Sequence, residues 1–200
     1  MDQDLPKIIS KKLVVVGDSG VGKTTMLLAH SRGYFGEIFI PTIAELLWHD
    51  YEENGVVKME MELIDTSNIQ DYDRLRPLMY PNSSIALICF AINSPSSLVS
   101  AETKWRTEIL KYIPKIPVFL IGCKSDLRND EPTILDLQSR DERVVSVSDA
   151  RRVADRIKAI HYFECLAATQ TGLSNIFDTA AELVFNMQEL KPNFLLCIII

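Results

Sequence analysis

Between Val16 and Met26 the chain reads Gly17-Asp18-Ser19-Gly20-Val21-Gly22-Lys23-Thr24-Thr25. Glycines at that spacing let successive backbone N–H groups turn inward around an oxyanion. A lysine and a hydroxyl at the end of the run then meet what those amides hold. The chemistry this suits is a polyphosphate. The amides cradle its oxygens, and a helix opening at the lysine adds the partial positive charge of its N-terminus. Lys23 supplies a point charge for the β- and γ-phosphates, and Thr24 a hydroxyl for Mg²⁺. The loop alone leaves the base and the reaction open.

Two further groups bear on that site. Leu63-Ile64-Asp65-Thr66 ends an apolar run with a carboxylate, the second element that holds Mg²⁺, through its water shell. Ile121-Gly122-Cys123-Lys124-Ser125-Asp126 ends another. An ionised carboxylate only accepts hydrogen bonds. Guanine presents two adjacent donors, N1–H and the 2-amino group, and adenine has no such pair. Asp126 therefore favours GTP over ATP, and the stem of Lys124 can cover the base. A P-loop kinase for a small metabolite is disfavoured on the same residues, since no obvious lid is present.

The elements needed to position these groups are legible as alternating patterns. Leu13–Val16, Ser84–Ala91, Val118–Cys123 and His161–Leu166 read as buried strands. Leu46–Glu53 and Val56–Ile64 flank Asn54-Gly55, a two-residue hairpin signal. Thr24–Ser31, Ser97–Tyr112, Ser148–Ile160 with Ser148 as its cap, and Leu173–Met187 read as helices. The expected fold is α/β: a mostly parallel six-stranded sheet with one antiparallel hairpin and helices on both faces. Such sheets place ligands at the carboxyl ends of their strands, at the switch point. Arg128–Val144 breaks the rhythm as a helical insertion or a loop, and Glu189–Ile200 reads as a linker-like tail.

Composition narrows the class. The chain has 200 residues, 47% of them apolar, which is enough for one full core. Its net charge of −6 excludes a strongly basic nucleic-acid footprint, so no nucleic-acid partner is expected. The longest apolar run, Ile85 to Ile92, is strand-sized, and the N-terminal residues are polar with no secretory segment. A cytoplasmic protein is expected, with its four cysteines as free thiols.

At this point the chain resembles a Ras-superfamily small GTPase, specifically the Rho family. The supporting stretches are GDSGVGKTT (17–25), IPTI (40–43), DTSNIQDYDRLRP (65–77), KWRTEIL (104–110), IGCKSDLRND (121–130) and ECLAAT (164–169), and the similarity covers residues 11–200. GDS, DTS, WRTEIL and IGCKSDLR look most like the Rnd branch, whose members bind GTP without appreciable hydrolysis. The resemblance implies a G domain over residues 11–188 after a short N-terminal extension, with residues 128–144 as the Rho-type insert. It implies a GTP/GDP site of Asp18, Ser19, Gly20, Val21, Gly22, Lys23, Thr24, Thr25, Phe35, Thr42, Cys123, Lys124, Asp126, Ala167 and Ala168. In it Phe35 lies against the base, Thr42 meets Mg²⁺ and the γ-phosphate, and the Ala167 N–H meets guanine O6. Mg²⁺ is the implied cofactor, held by Thr24, Thr42 and Asp65 through water. Ile40, Pro41, Ile43, Ala44, Glu45, Asn68, Ile69 and Tyr72 fall in the effector and switch segments.

The departures from the family pattern carry functional content. Asn68 and Ile69 stand where members have glycine then glutamine, and that glutamine orients the attacking water. Isoleucine has no donor or acceptor with which to do so, and no intact catalytic residue is left there. Ser19 replaces a glycine, where a side chain crowds an activator's arginine finger. Cys123 replaces Asn or Thr, and Leu166 and Ala168 flank Ala167 where Ser and Lys are common. The expectation is a GTP-bound switch with crippled hydrolysis. The alternative is a slow GTPase cycling with exchange factors and activators to regulate the actin cytoskeleton.

Cys197-Ile198-Ile199-Ile200 has the C-a-a-X form, which implies prenylation of Cys197, farnesyl or geranylgeranyl. Only Lys191 lies upstream as a basic residue, so one lipid gives reversible binding to the cytosolic face of a membrane. Effector proteins, exchange factors and a lipid-shielding GDI-like carrier are the implied partners.

Overall fold

A computed structural model of the chain describes residues 8–33, 47–53, 55–66 and 75–193, with side chains to Gln188. Among the described residues the six strands are β1 (Ile9–Gly17), β2 (Leu47–Glu53), β3 (Val56–Asp65), β4 (Ile85–Ala91), β5 (Val118–Cys123) and β6 (His161–Glu164). The helices are α1 (Lys23–Arg32), α2 (Pro95–Ser100), α3 (Arg106–Tyr112), α4 (Glu131–Ser139), α5 (Val147–Arg156) and α6 (Leu173–Asn193).

The sheet order is β2-β3-β1-β4-β5-β6, and only β2 with β3 is antiparallel. Strand period 2 divides the core. Leu13 and Val15 of β1 face α1 and α6 with Met26, Leu27 and Phe177. Val14 and Val16 face the other layer with Leu98, Trp105, Ile109 and Val153. After β1 the chain goes to one side of the sheet for β2 and β3. It then crosses β1 to lay down β4, β5 and β6 on the other. The loop following β1 thus sits at the switch point, at the carboxyl ends of β1, β3, β4 and β5.

Several boundaries differ from the sequence reading. The helical stretch expected from Ser97 begins at Pro95, where a proline's missing N–H costs nothing. Between α2 and α3 it passes through a π-turn, Ala101–Trp105. The cap of α5 is Ser146 rather than Ser148, its Oγ accepting from the Asp149 N–H at 3.1 Å, and the helix ends at Arg156 rather than Ile160. β6 stops at Glu164, short of Leu166, because Leu166 turns away to bridge Thr171. The insert holds a helix, α4, capped by Asp130. The tail expected from Glu189 begins as helix: α6 runs on to Asn193, since Glu189-Leu190-Lys191 are good helix formers. Asn54 of the hairpin lies outside the described residues, while Gly55 has φ +72° and β2 and β3 pair as expected.

A histidine pair ties α1, β2 and α6 together. His30 Nε2 is 3.0 Å from His49 Nδ1, His30 stacks on Phe177, and His49 Nε2 lies 3.3 Å from Asp178 Oδ1. Burial, with His49 alongside, lowers His30 to about 4. Burial lowers His49 as well, against the pull of Asp178 and Asp50. A folded-state pKa below the unfolded 6.5 means that the unfolded chain takes up the proton first. The stability from neutral His30 is complete above pH 6.5 and is lost as pH falls toward 4. Denaturant midpoints at fixed nucleotide and Mg²⁺ should show a loss on the order of 2 kcal/mol between pH 7 and pH 4.5, after discounting for partial exposure. His30→Phe should flatten that slope; an unchanged slope counts against the pair as its source.

Candidate functional site

The loop after β1 needs glycine for steric reasons. A Cβ on Gly17, at φ +151°, would sit 2.4 Å from the Cys89 carbonyl oxygen of the neighbouring strand. Gly22, the N-cap of α1, has φ +110°. Among the described residues no side chain caps α1, whose first N–H groups lack an acceptor within the helix. Lys23, only 3% exposed, donates from Nζ to the Gly17 carbonyl at 2.8 Å and the Asp18 carbonyl at 2.7 Å. Among the described residues it has no carboxylate salt-bridge partner. Burial pulls its pKa down, opposed by Cys89, Asp65, Cys123 and Asp18. A buried cation held by carbonyl dipoles at the start of a helix, with carboxylates nearby but none in a salt bridge with it among the described residues, suits an anion.

Thr24 Oγ1 donates to Asp65 Oδ2 at 2.5 Å, joining the start of α1 to the end of β3. Two hard oxygen groups meet there beside Lys23. That donor set suits a cation that keeps several waters and shares phosphate oxygens, such as Mg²⁺. Among the described residues no set of three His, Cys, Asp or Glu side chains forms a metal cage.

A cavity of about 280 Å³ opens beside the loop, lined by Gly22, Thr25, Cys123, Lys124, Asp126 and Ala167 among others. Gly22 and Thr25 belong to the glycine loop and its helix, so loop and cavity are contiguous. Lys124 takes the left-handed conformation, φ +60°, and turns the chain into the short turn Ser125–Arg128 that carries Asp126. That turn is tied down on two sides. The Ser125 N–H donates to the Cys165 carbonyl at 3.2 Å. Arg128 makes a two-pronged pair with Glu164 at 2.5 and 2.6 Å. Burial alone would raise the Glu164 carboxyl, but hydrogen bonds from Arg128 and Tyr162 outweigh it and hold it below its ordinary range. A second cavity of about 250 Å³ lies at the opposite end of the strands, among Lys11, Ser84, Lys115 and Met187; it lacks any glycine cradle.

Of the residues expected at the site, Gly22, Thr25, Cys123, Lys124, Asp126, Ala167 and Ala168 line the cavity beside the loop, while Lys23 bonds the Asp18 carbonyl and Thr24 bonds Asp65 on the adjoining loop and helix. Ser19 is exposed on the loop. Phe35, Ile40, Pro41, Thr42, Ile43, Ala44, Glu45, Asn68, Ile69, Tyr72 and Cys197 lie outside the described residues.

The sequence reading missed the tether of the loop. Trp105 Nε1 donates to Asp18 Oδ1 at 2.8 Å across 87 positions, from the π-turn before α3. The Arg76 guanidinium lies 4.8 Å from the Trp105 ring centre and pairs with Glu108 through two 2.8 Å bonds, which Tyr80 joins at 2.5 Å. The glycine loop, the residues following 74 and α3 are therefore one packed unit. Only the presence of an acid inside the loop and a tryptophan in KWRTEIL hinted at it. Trp105→Phe keeps the apolar burial and removes the N–H. One charge-assisted bond is lost and water restores part of it, so a bound nucleotide should leave about 3–10-fold faster. Release of a fluorescent guanine nucleotide measures this; a rate within twofold of the parent shows that the tether is idle.

Comparison with known proteins agrees with this geometry. The chain matches the Ras family over residues 12–186. It is 42% identical over 195 residues to GTP-binding protein RHO1 of Candida albicans, covering 98% of each chain. It is 43% identical over 180 residues to GTP-binding protein RHO1 of Saccharomyces cerevisiae, covering 90% of this chain and 86% of that one. To GTP-binding protein rho1 of Schizosaccharomyces pombe it is 40% identical over 187 residues, covering 92% of each. With the sheet order, the glycine loop at the switch point and similarity along nearly the whole chain, the protein belongs to the Ras family and, within it, to the Rho group of small GTPases.

Proposed function

We propose that this chain is a GTP-binding signalling switch that holds GTP and hydrolyses it far more slowly than an ordinary small GTPase. The observation that carries the reading is the contiguity of two half-sites: the buried Lys23 with its glycine loop, and the cavity ending at Asp126. In this reading the loop amides and Lys23 bind the β- and γ-phosphates, and Asp126 accepts the two guanine donors. Lys124 covers the base, and the Ala167 N–H meets O6. Thr24 and Asp65 hold Mg²⁺, with Thr42 as its partner from the effector segment. When bound, the metal would neutralise charge on the phosphates. Ordering of the effector segment around the γ-phosphate is what partners read.

The slow hydrolysis rests on Ser19, Asn68 and Ile69. Ile69 can neither accept from nor donate to a water, and Ser19 adds a side chain where an arginine finger would enter. Prenylation at Cys197 supplies a reversible hold on the cytosolic face of a membrane, and effectors, exchange factors and a lipid-shielding carrier complete the cycle. The test is the nucleotide carried by freshly purified protein, followed by single-turnover hydrolysis of γ-labelled GTP. GTP in the preparation with little phosphate release supports the reading. GDP with release at the pace of an ordinary small GTPase replaces it with a cycling switch.

A further inference from the structure

Three thiols stand together under the guanine end of the cavity, and the proposed function gives their sulfurs no chemistry. Cys89 lies in β4, Cys123 ends β5 and Cys165 follows β6; all three are free and buried, on the sheet face shared by Val15 and Ile121. β5 and β6 are parallel neighbours whose register runs Ile121↔Phe163, Gly122↔Glu164. Cys123 and Cys165 are the next positions on the two strands, and the Cys165 N–H donates to the Gly122 carbonyl at 2.9 Å. Neighbouring strands lie about 4.8 Å apart, inside the Cα separation of about 4.4–6.8 Å that a disulfide spans. Cys165 lies just beyond the last ladder residue, and its own carbonyl accepts from the Ser125 N–H that holds the Asp126 turn. Cys89 is placed differently: its register partner on β5 is Ile121, and it does not line the cavity. Cys123 and Cys165 both do, although they are only 3% and 1% exposed. The route to their sulfurs is the cavity itself.

We propose that Cys123 and Cys165 form a reversible disulfide when a peroxide-class oxidant enters the empty guanine cavity, and that this cross-link closes the cavity to guanine nucleotides. The inference rests on the guanine reading of that cavity. Cys123 is the attacking sulfur. Hydrogen bonds from the Cys165 and Cys89 thiols, with the nearby Lys23 and Lys124 charges, pull its pKa well below that of an ordinary thiol. The bond to Cys123 and burial push Cys165 up. The Cys123 thiolate attacks a peroxide oxygen and the O–O bond breaks, leaving a sulfenic acid and hydroxide. The Cys165 sulfur then attacks Cys123 Sγ; the S–O bond breaks, and the departing oxygen leaves as water with the thiol's proton. Two thiols are oxidised to one disulfide, and hydrogen peroxide is reduced to two waters. The bond draws Cys165 toward Cys123. The Cys165 carbonyl holds the Asp126 turn through the Ser125 N–H, and Ala167 is two residues further on, so the cross-link moves both ends of the base site. A guanine base seated in the cavity covers the path to the sulfurs.

The experiment begins with the affinity of the reduced, full-length chain for a fluorescent guanine nucleotide. The protein is then emptied by chelation, treated with hydrogen peroxide, alkylated and mapped by mass spectrometry, beside a sample kept loaded with a non-hydrolysable GTP analogue and Mg²⁺. The expected result in the emptied sample is a loss of about 2 Da, one Cys123–Cys165 cross-linked peptide, and at least about tenfold weaker rebinding that dithiothreitol reverses. The loaded sample should show none of these over the same period. In Cys165→Ala, peroxide should no longer weaken that variant's own rebinding. The proposal is overturned by an emptied sample without the Cys123–Cys165 peptide, by equal yields in loaded and emptied samples, or by a cross-link that leaves rebinding intact. Failure of the reduced chain to bind guanine nucleotide overturns the guanine reading and the closure it supports. The peptide map judges the thiol pairing separately.

Discussion

Asp126→Ala is expected to weaken GTP binding by about 10²–10⁴-fold while leaving the fold intact. In the proposed reading the carboxylate accepts from two guanine donors, and a hydrogen bond to a charged group contributes about 1.5–3 kcal/mol. Two such bonds give roughly 3–6 kcal/mol, at about 1.4 kcal/mol per factor of ten. Asp126 is exposed in the short turn after Lys124, so the free carboxylate is hydrated, and its dehydration on binding places the effect toward the lower end. Exposure is also why the fold should survive. The turn is held by Ser125, Leu127 and Arg128 rather than by the Asp126 side chain. Titration of emptied protein with GTP and with ATP, at fixed Mg²⁺, measures both the loss and the discrimination. The parent should strongly prefer GTP, and the variant should lose most of that preference because the phosphate loop still holds either triphosphate. A loss under about threefold would mean that the base is recognised by other groups.

The second large effect is a gain. Restoring the ordinary residues together, as Ser19→Gly, Asn68→Gly and Ile69→Gln, should raise single-turnover hydrolysis by about 10²-fold, the scale of one positioned catalytic group. An activator that inserts an arginine should then act on the variant by a further factor of roughly 10³ or more, and hardly at all on the parent. Ile69→Gln alone should gain less under activation, because Ser19, exposed on the loop, still occupies the approach. Phosphate release from preloaded protein, with and without activator, separates the cases. A triple variant as slow as the parent would mean that these three positions are not the block.

The parts of the site legible in the sequence are those carried by contiguous residues at strand ends. Gly17 through Thr25, the acid at 65 and the Lys124–Asp126 pair each follow an apolar strand, and each lies where that pattern put it. The helix ends were read less well. Ser146 and Ser148 are both plausible caps by type, and the choice depends on which Oγ meets the Asp149 N–H. The run of α6 to Asn193 was missed because polar composition alone does not distinguish a linker from an exposed helical turn.

By itself, the sequence determined the class of the protein. The period of its apolar residues sets an α/β sheet, and the glycine spacing and the acid at 126 carry the reading of a guanine-nucleotide site, all of them local properties. Only the tertiary structure decided what holds those pieces to one another: Trp105 on Asp18, Arg76 on Glu108, Thr24 on Asp65, Arg128 on Glu164, and Cys123 beside Cys165. Such contacts join residues tens of positions apart. Their existence depends on strand order and register, which arise from closing the whole core and leave no trace in the spacing of any one segment.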